Sequence, residues 1–238
     1  MKSEGQMRLG VLFSSGKDST YAAYLIKRQN CELTCLITLK SENPYSYMFH
    51  TPNIDIVDLQ AEAMEIPLVK GNTEGKEELE LKDLKATIQN AKEMYTLDGI
   101  VTGAIHSNYQ RTRIEKICRD LDLAVFSPLW NMDQEDEMRR LISDGFKFIF
   151  TSVAAYGLDA SWLGKIITSY EVDKLVELNN KININIAGEG GEFESLVLDC
   201  PLFNKHLTIK EYEIKEIDEY TATMIINRAE LASKQMCP

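Results

Sequence analysis

Residues 9–13, Leu-Gly-Val-Leu-Phe, run straight into Ser14-Ser15-Gly16-Lys17-Asp18-Ser19, and Tyr21, Ala22, Tyr24 and Leu25 then follow at helical spacing. An apolar run, a small-residue turn and an amphipathic stretch read as strand, loop and helix, the start of an α/β fold whose first strand is central and buried on both faces. Such a junction is also an anion site. The first N–H groups of a helix have no partner inside it, and the helix dipole places partial positive charge behind them. Ser14, Ser15 and Ser19 add hydroxyl donors and Lys17 adds a charge, while Gly16 is the residue expected to take a positive φ. The glycine spacing is too short for a Walker A loop. Taken alone, the six residues read equally well as an ordinary turn capped by Asp18 or Ser19.

The alternation continues. Residues 34–39 read as a second strand, Ile54, Val57, Ala61 and Met64 share a helical face, and Leu68 and Val69 form a third strand bracketed by Pro67 and Gly71. A long helix over 76–97 carries Leu81, Leu84, Ile88, Ala91 and Tyr95 inward and stops at Gly99. Residues 100–102 and 124–126 are the fourth and fifth strands, joined by a helix that buries Ile114, Ile117, Cys118 and Leu121. Right-handed crossovers then give a parallel five-stranded sheet with helices on both faces. Ligands of such sheets bind at the carboxyl ends of the strands, so the loop at 14–19 and Gly103-Ala104-Ile105 are expected to share one crevice, where Gly103 and Ala104 let a purine or ribose lie against the backbone. Arg111 and Arg113, beside Tyr109 and Gln110, are either forks for phosphate or carboxylate or solvated helix charges. Residues 41–53 read as a loop whose Tyr45, Tyr47, Met48, Phe49 and His50 form a hydrophobic plug, with a lid over an adenine as the alternative.

Ser127-Pro128 is the expected boundary, which places the parallel-sheet domain with its nucleotide crevice at 1–127 and a smaller α+β domain at 128–238. In the second region, 133–143 and 171–179 read as helices, 146–153 as a strand, and 207–226 as a β pair. Gly157 and Gly164 flank a Trp and precede a Lys, Trp162 and Lys165. Gly188-Glu189-Gly190-Gly191-Glu192-Phe193-Glu194-Ser195 holds three carboxylates near three glycines, which suits a cation: Mg²⁺ beside pyrophosphate, or ammonium whose proton a carboxylate accepts. An acidic solvent-facing turn is the plainer alternative.

Composition excludes other classes. The 238 residues are 44% hydrophobic, enough for a real core, and carry a formal charge of -11, so no whole-chain footprint for nucleic acid exists. Cys31, Cys35, Cys118, Cys200 and Cys237 contain no Cys-x-x-Cys pair, and most read as reduced core thiols. No signal-peptide core is visible, nor any apolar run near the roughly 20 residues that cross a bilayer, so a cytoplasmic location is expected.

The loop at 14–19 resembles the PP-loop of ATP pyrophosphatases, Ser-Gly-Gly-x-Asp-Ser, with Ser15 in place of the first glycine. Together with Ser107-Asn108-Tyr109-Gln110, the stretch 157–165, Glu189-Gly190-Gly191-Glu192 and Pro201-Leu202-Phe203, it makes nearly the whole chain similar to the diphthine–ammonia ligase family. The resemblance implies a Rossmann-like PP-loop fold and an ATP-dependent amidation of diphthine on translation elongation factor 2 by ammonium, with Mg²⁺, through an acyl-adenylate that releases AMP and pyrophosphate. It implies that Ser14, Ser15, Gly16, Lys17, Asp18, Ser19, Gly103 and Ala104 bind ATP, that Lys17, Asp18, Glu189 and Glu192 are catalytic, and that Tyr109, Gln110, Arg113, Trp162, Lys165, Gly190, Gly191 and Glu194 bind substrate. No residue is assigned to a permanent metal, and neither a membrane nor nucleic acid is an expected partner. The alternatives are a PP-loop enzyme that modifies tRNA and a nucleotide-binding module without chemistry.

Overall fold

The apolar segments of the first half pair side by side as β1 (Arg8–Leu12), β2 (Glu32–Ser41), β3 (Leu68–Thr73), β4 (Gly99–Val101) and β5 (Ala124–Phe126). Their order is β3-β2-β1-β4-β5 and every pair is parallel. The computed structural model describes residues 6–43 and 53–234, so the aromatic loop with Tyr45, Tyr47, Met48, Phe49 and His50 lies outside the described residues. The described chain divides into two compact units: one comprises 6–14, 18–43, 53–62 and 66–130, the other Ser15–Lys17, Ala63–Glu65 and 131–234.

In the first unit the connections are helical: α1 (Lys17–Arg28, of which Lys17 belongs to the other unit), a 3-10 turn at Ile54–Ile56 leading into α2 (Val57–Met64), α3 (Glu77–Tyr95) and α4 (Asn108–Asp120). Side chains alternate across the strands, so Cys35, Ile37 and Leu39 of β2 meet Leu84, Ile88 and Ala91 of α3 and Ile114, Ile117 and Cys118 of α4 in one core layer. Leu36 and Thr38 point the other way, towards the face that right-handed crossovers give to α1 and α2, where Tyr21, Ala22 and Ile26 are buried. Strand order reverses between β1 and β4, which makes their carboxyl ends the place where a ligand fits.

Two glycines serve differently from the sequence reading. The long helix ends at Tyr95, with Thr96 in the left-handed region at φ 52, so Gly99 does not stop it; a Cβ on Gly99 would lie 2.8 Å from the Ala124 carbonyl oxygen of the neighbouring strand. Gly71 lies inside β3 rather than bounding it, where a Cβ would strike the Thr87 hydroxyl of α3. Close packing against neighbours, not turn geometry, selects glycine at both.

The second unit holds α5 (Gln134–Ser143), β6 (Lys147–Ala154), a 3-10 turn at Ala160–Trp162, α6 (Ser169–Ile182), β7 (Phe193–Asp199), β8 (Lys205–Asp218) and β9 (Thr221–Ser233). Its four-stranded sheet is antiparallel in the order β7-β6-β9-β8, the α+β arrangement expected. Caps set the helix starts. Asp133 accepts the Asp136 N–H at 3.0 Å, and Thr168 with Glu171 closes a capping box that begins α6 ahead of the expected Glu171.

Cys35, Cys118 and Cys200 are buried, and burial pushes each thiol up to about 12, while Cys31 is half-buried. Maleimide labelling of the native chain near neutral pH should therefore modify Cys31 well ahead of these three, as mapped by peptide mass spectrometry. A second prediction concerns Gly103, where a Cβ would stand 2.7 Å from the backbone of Asp18 and Ser19. Gly103→Ala should lower unfolding stability by about 1–3 kcal/mol, measured by chemical denaturation.

Candidate functional site

In the first unit the expected site residues gather at the carboxyl end of β1. Phe13 N–H donates to the Ile37 carbonyl at 2.8 Å, and the Thr38 hydroxyl donates to the Phe13 carbonyl at 2.7 Å, so the chain leaves the sheet in a fixed direction. Ser14 N–H then donates to Ser19 Oγ at 3.2 Å, and the two hydroxyls lie 3.2 Å apart. Asp18 is half-exposed in the first turn of α1. Because Gly103 has no side chain, the turn after β4 sits directly on the backbone of Asp18 and Ser19, bringing together the two segments expected to share a crevice. The contact on Gly103 is thus made by α1 itself. Ala104 is buried, its N–H donating to Thr102 Oγ1 at 3.3 Å.

Ser107 caps α4 by accepting the Gln110 N–H at 3.3 Å, and the two arginines that follow separate in role. Arg111 is committed to structure: its Nε donates to Glu115 at 2.6 Å and its guanidinium lies over the Trp130 ring, 4.3 Å from the centroid. The Arg113 guanidinium carbon lies over the Tyr109 ring, 3.3 Å from its centroid, and its Nη1 donates to the Tyr109 carbonyl at 3.4 Å. Its Nε is buried with no hydrogen-bond partner among the described residues, so Arg113 is the arginine with a donor to spare.

The middle of the loop belongs to the second unit. Ser15, not Gly16, takes the left-handed conformation, at φ 71, which corrects the sequence expectation. A serine there is strained by roughly 1–2 kcal/mol relative to glycine. It is held in place because the Ser15 carbonyl accepts the Val197 N–H at 3.1 Å and the Lys17 N–H donates to Ser195 Oγ at 3.1 Å, both partners on β7. The Lys17 ammonium is likewise not presented to solvent. It is 1% exposed and lies 3.4 Å from Oε1 of Glu137, which is 0% exposed. Glu137 lies with Met138 and Leu141 on the buried stripe of α5, and that i, i+4 relation to Leu141 was the signal available in the sequence.

Glu192 closes its own loop. Its Oε1 accepts the Asn185 N–H at 3.3 Å and its Oε2 accepts the Gly190 N–H at 2.8 Å. Asn185, which sequence reasoning missed, accepts the N–H groups of Ala187 at 2.9 Å and Glu189 at 3.3 Å in a local turn typical of asparagine. Gln134 of α5 accepts the Ile186 N–H at 2.9 Å. Glu189, Glu192 and Glu194 therefore do not converge as three ligands, and among the described residues no group of three or more acidic, His or Cys side chains is placed to hold a metal ion. Gly188 has φ 78, and the Phe193 ring fills the place of its missing Cβ. Phe193 stacks on Phe150 at 3.9 Å and Phe150 on Trp162 at 6.1 Å, while the Lys165 ammonium sits 4.7 Å above Trp162. The stretch 157–165 and the Gly/Glu loop are thus joined through one aromatic stack, in which Trp162 is buried.

Two family models match in tandem: the diphthamide synthase N-terminal domain over residues 7–125 and the diphthamide synthase C-terminal domain over residues 133–232. The chain belongs to the diphthine–ammonia ligase family. Diphthine–ammonia ligase of Mus musculus is 36% identical over 226 residues, 87% of this chain and 84% of that one, and the Homo sapiens protein of the same name is 36% identical over 227 residues, 87% and 85%. The Schizosaccharomyces pombe diphthine–ammonia ligase is longer: a 35% identical match covers 88% of this chain and 37% of that protein. Among solved structures, U34-tRNA thiolase NcsA from Methanococcus maripaludis superposes with a TM-score of 0.38 at 12% identity over 78% of this chain and 70% of that one, too distant to bear on the family's chemistry. Diphthine–ammonia ligase is a ligase name, and these relatives tie the family to diphthamide biosynthesis.

Replacing Glu137 by Leu leaves a charged lysine buried without this carboxylate and should cost about 3–5 kcal/mol. Ser15→Gly removes the backbone strain and should raise stability by about 1 kcal/mol. Differential scanning calorimetry of both variants checks the two signs together.

Proposed function

We propose that this chain converts diphthine on translation elongation factor 2 to diphthamide, using ATP and ammonium and releasing AMP and pyrophosphate. The observation that carries this reading is the attachment of Ser15–Lys17 to β7, the strand that leaves the Gly/Glu loop: the residues expected to meet phosphate and those expected to meet ammonium hang on one backbone. A location in the cytoplasm goes with a translation factor as substrate. No helix among the described residues is long and apolar enough to cross a membrane. In this reading the chain divides at 127/128 into an ATP-binding part and a substrate part, with Ser15–Lys17 packed in the latter.

Ammonia does not displace oxide from a carboxylate, so the diphthine carboxylate must first be activated. Attack of that carboxylate on the α-phosphorus of ATP expels pyrophosphate and leaves an acyl-adenylate, from which ammonia displaces AMP. The donor set fits the departing diphosphate: the paired hydroxyls of Ser14 and Ser19 stand at the amino end of a 12-residue helix, where dipole and hydroxyls act together. Gly16 keeps that approach open, and Asp18 orients the loop. Lys17, buried against Glu137, acts by fixing the loop's shape rather than by touching phosphate. Mg²⁺, which binds through few protein carboxylates and mostly through phosphate oxygens, would arrive with ATP and neutralise charge there. Arg113, braced on Tyr109, offers its fork to a carboxylate or phosphate, with Gln110 beside it. In the same reading Lys165 over Trp162, and Gly190, Gly191 and Glu194, bind the substrate. Glu189 and Glu192 hold ammonium and take its proton as neutral ammonia attacks.

The test uses the full-length chain with ATP, ammonium and elongation factor 2 carrying diphthine. AMP should form only when all three are present. Lys17→Ala should abolish both amide formation and diphthine-dependent exchange of pyrophosphate into ATP. Glu192→Gln, whose single amide oxygen still accepts one of the two loop N–H groups, should spare the exchange and slow amide formation by about 10²-fold or more. AMP formation stimulated by tRNA, or ATP binding without turnover, would overturn the proposal.

A further inference from the structure

The outer strand of the second sheet is a 14-residue edge. β8 is last in the strand order, and residues 210–219 are all exposed, Tyr212 at 55%, Ile214 at 40% and Ile217 at 73% among them. Among the described residues β9 meets β6 only at Thr221, Ala222 and Thr223, so from Ile214 back to Ile209 the ribbon is two strands wide, a width that is marginal by itself in water. Proline, which blunts many natural edges, is absent from β8. Its irregularities fall on either side of one straight window: register shifts occur at Ile209/Glu211, Glu211/Tyr212 and Glu216/Asp218, leaving residues 212–216 in unbroken register with β9.

That window is symmetric about Ile214, and so is its chemistry. We infer that β8 pairs antiparallel with β8 of a second copy of this chain about a two-fold axis at Ile214, joining the two ribbons into one continuous sheet. In this register Ile214 faces Ile214, each Glu213 faces a Lys215, and each Tyr212 faces a Glu216, so two opposite-charge pairs form and no like charges meet. Neighbouring registers fail on charge. Moving the centre half a residue towards the N-terminus sets Glu211 against Glu216, and a full residue sets Glu213 against itself; moving it towards the C-terminus sets Glu213 against Glu216, then Lys215 against itself. Glu213 and Lys215 already lie on one side of the strand, 3.5 Å apart, so both are presented together to a partner strand. A side-chain pattern that accepts one register and rejects its neighbours is what specifies strand pairing.

Sedimentation velocity of the full-length chain over a micromolar concentration series tests this inference, which is independent of the ligase reading. A dimer is expected. Lys215→Glu and Glu213→Lys should each weaken it by about tenfold or more, because both ion pairs become like-charge pairs in either variant. The exchanged double variant Glu213→Lys/Lys215→Glu, with the same net charge as the parent, should restore dimerisation to within about threefold of the parent. A monomer throughout the series overturns the inference, as does a dimer indifferent to the single variants or a double variant that fails to recover, including the case in which β8 serves a different protein instead. Far-ultraviolet circular dichroism should be unchanged in all three, since every altered side chain is exposed.

Discussion

Three residues, Ser15–Lys17, are fixed by a buried ion pair, one backbone–backbone hydrogen bond to Val197 and one to the Ser195 hydroxyl, and the geometry of the loop depends on that anchorage. A left-handed serine is an unfavourable local conformation, and removing a lysine and a glutamate from water together costs several kcal/mol per ion before their attraction is counted. Neither would persist on a loop free to relax. What such an arrangement gives is position: the loop backbone follows β7, and β7 begins where the Gly/Glu loop ends, so the spacing between the two segments is set by a strand rather than by flexible chain. A site assembled on rigid elements keeps its geometry better than one assembled on loops alone.

The sheet of the first unit solves a related problem at its switch point. Short strands β4 and β5, three residues each, contribute little pairing, and the unit relies on close approach instead. Gly103 lets the turn after β4 rest on the first turn of α1, and Gly99 lets β4 lie against β5. These contacts leave Ser14, Asp18 and Ser19 at the helix mouth with their backbone direction determined from three sides: the β2 carbonyl at Ile37, the Thr38 hydroxyl and the backbone after β4.

Most of the fold was legible because hydrophobic period and crossover handedness act locally and were both strong. The five parallel strands and α5 could be read directly. The boundaries that shifted did so where a tertiary neighbour outweighed a local signal: Gly99 and Gly71 look like breakers in one dimension and are packing positions in three. The start of α6 was readable in Thr168-Ser169-Tyr170-Glu171 as a capping box, but the apolar period drew attention further along. The site was less legible. Lys17 and Glu192 were found as residues, yet Lys17 engages Glu137, 120 positions away, and Glu192 turns back onto the N–H groups of its own loop, a contact that no hydrophobic period signals. Asn185 and Gln134 act as acceptors for backbone N–H groups, a use that leaves no periodic mark. Ser15 could be seen to replace a glycine, but only the backbone angle identifies it, rather than Gly16, as the residue in the left-handed region.

The chain has two tryptophans, and each lies beneath a cation in a different unit: Trp130 under Arg111 in the first, Trp162 under Lys165 in the second. Trp130 is half-buried, whereas Trp162 is buried and stacked on Phe150, so their indoles sit in surroundings of different polarity. Intrinsic fluorescence therefore carries a native optical label on each half of the molecule, and a single-tryptophan variant can follow melting or ligation of one half while the other stays dark.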